Sequence, residues 1–191
     1  MKLILLDRDG VINQDSPDYI KSPEEWIPLP GSLEAIARLT QAGWQVVVVT
    51  NQSGLARGLF DAATLDAIHG GMTRAVEAVG GRLRGIYHCP HGPDDGCDCR
   101  KPLPGLFHQV ARDLGIDLTD VPAVGDSPRD IQAATAAGCR PLLVRTGNGA
   151  RALAEGRIAE GIPAYGNLAE LVQELLRQCP PSQGGPPRRS H

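Results

Sequence analysis

Three times along this chain a short aliphatic run ends abruptly on a polar or acidic residue. Leu3 to Leu6 runs into Asp7, Val46 to Val49 into Thr50, and Val121 to Val124 into Gly125 and Asp126. A strand with one wet face alternates apolar and polar residues, whereas an unbroken run is covered on both faces, as in a parallel sheet. Strands are expected at Leu3–Leu6, Gln45–Val49, Gly85–His88, Val121–Val124 and Pro141–Arg145. Helices are expected at Ser32–Gln41, Asp61–Val79, Gly105–Leu114, Pro128–Ala137 and Leu168–Gln178, where apolar residues recur three and four apart. Ser32 stands at a plausible helix start and Gly43 at a plausible end, and Pro128 suits the first turn of its helix. Strands that alternate with helices imply an α/β three-layer α/β/α sandwich around a parallel sheet. Ligands in such sheets bind beyond the carboxyl ends of the strands.

The 191 residues are about the length of one domain. It is expected over 1–179, with the stretch 180–191 (PPSQGGPPRRSH from Pro180) a disordered tail without apolar periodicity. A net charge of −3 argues against broad binding to nucleic acid or an anionic membrane. No stretch is long and apolar enough to span a bilayer. The start, MKLILLDRD, is too short in apolar residues for a secretory h-region, so a cytoplasmic location is expected. No helix face reads as apolar and unused, so a monomer is expected.

The chemistry-bearing residues fall at the strand ends. Asp7 and Asp9, spaced by two, share a direction if strand geometry persists. Two adjacent carboxylates need a cation or a proton between them. Thr50 and the following Asn51-Gln52-Ser53-Gly54 offer a hydroxyl and backbone N–H groups for phosphate oxygens, and Arg100 and Lys101 offer cations. Asp126 adds a third acid, and Asp130 reads as a helix first-turn residue outside the reacting set. His69 and His108 lie on expected helices and are not expected to take part in catalysis. His88 is expected to face the core or a neighbour.

A second cluster is contiguous. Cys89-Pro90-His91 precedes Cys97-Asp98-Cys99 within the loop 89–99, so three thiols and one imidazole lie within eleven residues. Cys3His is a closed structural Zn²⁺ set with no open position for catalysis. Its expected task is to order the loop and hold Arg100 and Lys101, which follow Cys99 directly. Five cysteines without a secretory signal speak against a disulfide framework.

The segments DRDGVIN, VVVTNQSG, Arg100-Lys101-Pro102 and VGDSPRD resemble, in that order, the four signature motifs of the haloacid dehalogenase superfamily of phosphatases. The resemblance runs from about residue 3 to about residue 147. It implies a Rossmann-like sheet with a minimal cap and an attack on phosphorus by Asp7 that forms an aspartyl-phosphate. Asp9 would protonate the leaving oxygen and then activate water. Thr50 and Lys101 would stabilise the phosphoryl oxygens, and Mg²⁺ would be held by Asp7, the Asp9 backbone carbonyl and Asp126.

The CxH…CxC loop followed by Arg-Lys-Pro resembles the subgroup that dephosphorylates heptose bisphosphate or histidinol phosphate. Ser53 with Leu55-Ala56-Arg57-Gly58 is similar to the heptose branch; the histidinol branch has Asp at the place of Ser53. The implied substrate is therefore a small sugar phosphate, a heptose 1,7-bisphosphate losing its 7-phosphate, with histidinol phosphate as the alternative. Asp15, Asn51, Gln52, Ser53, Arg57 and Arg100 are the implied substrate-binding residues, Arg100 suiting a second phosphate because guanidinium pairs with it bidentately. The five residues between His91 and Cys97 are fewer than in some relatives, which leaves the anomer preference open.

Overall fold

The computed structural model describes residues 2–178; Cys179 and the expected tail lie outside the described residues. Six parallel strands form one sheet: β1 (Leu3–Leu6), β2 (Gln45–Asn51), β3 (Leu83–Cys89), β4 (Pro122–Gly125), β5 (Arg140–Val144) and β6 (Ala164–Tyr165). Their order is β3-β2-β1-β4-β5-β6. The helices are α1 (Ser32–Gln41), α2 (Ala62–Ala78), α3 (Gly105–Leu114), α4 (Pro128–Ala136), α5 (Gly149–Ala154) and α6 (Leu168–Gln178).

The unbroken runs have the double coverage that parallel strands require. Ile4, Leu6, Val46, Val48, Val124, Leu142 and Val144 belong to one core with Ile36 and Leu39 of α1, Ile68 and Met72 of α2, and Leu171 of α6. Leu3, Leu5, Val47, Val49 and Ala123 belong to the other, with Leu106, Phe107 and Val110 of α3 and Ala133 of α4. Successive strand residues point to opposite faces, so each run feeds both cores in turn. The result is the Rossmann-like three-layer sandwich.

Several boundaries differ from expectation: α2 runs from Ala62 to Ala78 with Asp61 as its cap, β3 from Leu83 to Cys89 and β5 from Arg140 to Val144, whereas α1 keeps its expected bounds. Ser32 is the first helical residue of α1, and Gly31, at φ 77°, is its cap. The Ser32 hydroxyl instead donates to the Ile12 carbonyl at 2.6 Å and ties the helix to the loop after β1. That loop is not structureless: it holds a 3₁₀ turn at Pro23–Glu25 and isolated bridges of Asn13 with Asp9 and Pro28. The α5 helix and the two-residue β6 were not anticipated, because neither is long enough to show a period. Among the described residues no helix is long and apolar enough to cross a membrane.

Topology places the site. From β1 the chain winds outward through β2 and β3, then returns to lay β4 on the other side of β1. The connections leaving β1 and β4 therefore diverge, and a crevice opens at their carboxyl ends. Asp7 follows β1 there and Asp126 follows β4, and the Asp7 amide donates to the Val124 carbonyl at 2.9 Å.

Candidate active site

A cavity of about 190 Å³ opens over the carboxyl ends of β1, β2 and β4. Asp7, Asp9, Asp15, Thr50, Asn51, Gln52, Ser53, Arg100, Lys101 and Asp126 all line it. Arg57 does not; it lies at 5.9 Å over the Tyr19 ring, and it is that ring which reaches the cavity.

Lys101 is the electrostatic hub of the floor. Its ammonium lies 3.0 Å from Asp7, 2.6 Å from Asp130 and 2.9 Å from the Val49 carbonyl, so its three N–H donors are all taken. Burial works against this charge, but Asp130 and Asp7 outweigh it and hold the ammonium above its ordinary pKa. Asn51 fixes the Lys101 backbone from both sides: its amide donates to the Lys101 carbonyl and its carbonyl accepts from the Lys101 N–H, each at 3.0 Å. Asp130 is more than a first-turn residue. One oxygen meets Lys101, and the other accepts from the Ser127 hydroxyl at 2.6 Å and the Ser127 amide at 3.1 Å, which closes the start of α4.

Oxygens of Asp7, Asp126 and Asp130 lie within 4.8 Å of one another. One ammonium faces three carboxyls, Asp126 and Asp130 buried and Asp7 half-buried. Burial, with Asp130, Asp126 and Asp9 nearby, pushes Asp7 up despite Lys101. Burial and Asp130 push Asp126 up to about 7. Burial also opposes ionisation of Asp130, but Lys101 prevails and holds it below the usual range. The uncompensated charge on Asp7 and Asp126 is what a hard divalent cation with oxygen ligands would neutralise. Asp126 is oriented by the Asn148 amide, which donates to it at 2.8 Å, while the Asn148 side chain bridges to Asp15 at 2.9 Å. Gly10 and Gly147, both at positive φ, face Asp126; a Cβ on either would collide with its carboxyl.

Asp9 is held apart from this group. Arg8 donates to it through Nε at 3.0 Å and Nη2 at 3.1 Å, Asn13 at 2.9 Å and Gln52 at 3.0 Å. The Gln52 amide also donates to the Thr50 hydroxyl at 3.0 Å. The amides of Asn51 and Gln52, read from sequence as substrate contacts, thus hold Lys101, Asp9 and Thr50 in place. Sequence reasoning missed Arg8, Tyr19, Arg129 and Asn148, which line the cavity without any motif spacing of their own.

The soft cluster lies beside this cavity. Cys89 Sγ is 3.1 Å from Cys99 Sγ and 3.7 Å from Cys97 Sγ, and His91 Nδ1 is 3.6 Å from Cys89 and 3.3 Å from Cys99. Metal–sulfur bonds of about 2.3 Å in a tetrahedron give edges of roughly 3.8 Å, close to this spacing. Burial pushes Cys89 and Cys99 up, with the other two thiols adding to it at Cys99; burial opposes ionisation of Cys97 too, but the Arg100 amide and the other thiols prevail and hold it below its ordinary value. A bound metal would hold all three as thiolates. From the same loop the Arg100 guanidinium donates to the His91 carbonyl at 3.2 Å and reaches the cavity.

Residues 98–171 match the Hydrolase-like family model, described as HAD-hydrolase-like. The chain is 62% identical to D-glycero-beta-D-manno-heptose-1,7-bisphosphate 7-phosphatase of Bordetella bronchiseptica, over 94% of this chain and all of that one. It is 53% identical to the protein of that name from Pseudomonas aeruginosa, over 92% of this chain and 98% of that one. The crystal structure of D,D-heptose 1,7-bisphosphate phosphatase from B. bronchiseptica, complexed with magnesium and phosphate, superposes with a TM-score of 0.91 over 93% of this chain and 99% of that one, at 62% identity. The chain therefore belongs to the haloacid-dehalogenase-like phosphatases, in the branch of the heptose-1,7-bisphosphate 7-phosphatases.

Proposed function

We propose that this protein hydrolyses the 7-phosphate of D-glycero-β-D-manno-heptose 1,7-bisphosphate, through an aspartyl-phosphate on Asp7, as a step in building activated heptose for lipopolysaccharide core or surface glycan. The observation that carries the reading is Asp7 and Asp126 on adjacent strand ends with Lys101 locked between Asp7 and Asp130. The β anomer is the one in the names of the relatives at 62% and 53% identity.

Asp7 supplies the nucleophile. One carboxyl oxygen bonds to phosphorus as the bond to the sugar oxygen breaks, and Asp9 gives that oxygen its proton. In the second displacement Asp9 takes a proton from water, the water oxygen bonds to phosphorus, and the bond to Asp7 breaks to release phosphate. The Thr50 hydroxyl is a fixed donor for the phosphoryl oxygens, and the Lys101 ammonium, held on Asp7 and Asp130, supplies positive charge beside them. Mg²⁺, held by Asp7, Asp126 and the Asp9 backbone carbonyl, would supply charge neutralisation between carboxylate and phosphate. Arg100, anchored on the His91 carbonyl, is placed to pair with the second phosphate. Zn²⁺ on Cys89, His91, Cys97 and Cys99 would order the loop that carries Arg100 and Lys101. Asp15, at the cavity rim, offers its carboxylate to sugar hydroxyls.

Phosphate release from both anomers of heptose 1,7-bisphosphate and from histidinol phosphate, with Mg²⁺ and with EDTA, tests this. A preference of about 100-fold or more for the β-heptose, roughly 2.7 kcal/mol in transition-state binding, is expected. Faster turnover of histidinol phosphate would overturn the substrate assignment.

A further inference from the structure

Behind Asp9 lies a buried polar chain that the reaction steps do not use. Arg8 is 1% exposed, which for a guanidinium requires that its donors be satisfied inside the protein. Nε and Nη2 grip the two oxygens of Asp9, and Nη2 also donates to Gln52 Oε1 at 3.2 Å. On the far side, Nη1 lies 3.3 Å from Nε2 of His69, on α2. Guanidinium has no acceptor atom, so His69 Nε2 must accept and its ring proton must sit on Nδ1. The neutral ring fits its setting: burial first, and then the Arg8 charge and His88, push His69 down to about 3, with Asp9 opposing. The edge of His88 closes the pocket around His69, ring centroids 5.8 Å apart.

The geometry points to Arg8 as the residue that positions Asp9 for proton transfer, with His69 behind it as the acceptor that sets the angle of its fork. Neither residue touches the reacting atoms; both act through the orientation of Asp9. A carboxylate held by a planar fork is fixed in plane as well as in place, which a single point contact does not achieve. Arg8 could instead be a core residue whose loss lowers all steps alike, and this difference can be measured. The inference rests on the acid–base assignment of Asp9 proposed above.

The probe is 4-nitrophenyl phosphate, whose leaving group departs without a proton. When only Asp9 is impaired, the first displacement survives on this probe and the second, which needs a base, is slowed. Asp9→Asn is therefore expected to release a burst of about one equivalent of 4-nitrophenol and then turn over slowly. Arg8→Met is expected to show the same burst, and to lose roughly tenfold or more activity on the heptose bisphosphate beyond its loss in the burst rate. His69→Leu should give a milder version of this partition, and His69→Gln, whose Oε1 can accept from Arg8, should restore most of it. If Arg8→Met does not fold, as checked by thermal unfolding, the His69 pair carries the test alone.

Equal losses in burst and steady-state rates for folded Arg8→Met would overturn the positioning role of Arg8. Identical behaviour of His69→Leu and His69→Gln would overturn that of His69. Absence of a burst in Asp9→Asn would show that the acid–base assignment itself is wrong, and the positioning role would fall with it.

Discussion

The two ligand clusters of this protein are built in opposite ways. The thiol–imidazole cluster comes from one loop, with all four residues between Cys89 and Cys99. The carboxylate cluster draws Asp7 from the end of β1, Asp126 and Asp130 from the β4–α4 junction, and Lys101 from the loop after β3. The first needs little of the fold beyond an anchor in β3. The second exists only when the sheet has placed β4 beside β1. A local cluster can be ordered by its metal, whereas a dispersed one must be ordered by the fold and then tolerates charge that burial disfavours. The loop that carries Arg100 and Lys101 joins the two.

The largest effect that would break the comparison falls on the dispersed cluster. Asp7→Asn removes the nucleophile at almost constant shape, so kcat on the heptose bisphosphate should fall by on the order of 10⁴-fold or more, with far-UV circular dichroism unchanged. Residual hydrolysis near the wild-type rate would refute nucleophilic attack by Asp7. Lys101→Met comes next. It leaves Asp130 buried and unpaired, and unfolding in urea should show a loss of about 3–5 kcal/mol. A variant as stable as the parent would mean that the ammonium does not hold the floor together.

Cys97→Ser probes the local cluster. Elemental analysis should find zinc lost, and the melting temperature should fall by several degrees while the sheet remains folded. Full zinc content in this variant would dismiss the four-residue ligand set.

The next test sharpens the contrast by pH. In protein freed of divalent cations, Asp126 is held up to about 7 and Asp7 is also raised. A raised acid keeps its proton longer in the folded state, so stability should decline as pH rises from about 4 through about 7. Asp130, held low, contributes stability that is lost only at more acidic pH, as pH falls through its folded pKa. Saturating Mg²⁺ should flatten the decline between pH 5 and pH 8, measured by thermal unfolding; an equal slope with and without Mg²⁺ would count against Asp7 and Asp126 as ligands. The smallest effect is expected at the rim: Arg57→Ala should change KM by no more than about twofold, since the side chain lies outside the cavity.

Much of this architecture is legible in the chain because double-sided burial writes itself as unbroken aliphatic runs. β1, α3 and α6 have the boundaries that their periodicity implies. Asp7, Thr50 and Asp126 are legible because they sit at the ends of those runs. What stayed hidden is what the return of the chain creates. Asn148 meets Asp126 and Asp15 from a loop after β5 that carries no period. His69 reads as an ordinary position on an amphipathic helix, and only the packing of α2 against the sheet brings it to Arg8. The roles of the Asn51 and Gln52 amides could not be read either, because an amide's spacing does not say whether it faces a ligand or a neighbour.

Two positions under the cavity carry no side chain at all. At Gly10 and Gly147 the space that a Cβ would need is taken by the Asp126 carboxyl. No single substitution there leaves the carboxylate where it is, so the floor is closed to variation. The rim is not: Tyr19, Arg100 and Arg129 line the opening with long side chains that can be exchanged one at a time. A mutational search for new substrates in this scaffold would thus find its freedom in what surrounds the sugar, with the phosphoryl chemistry left untouched beneath.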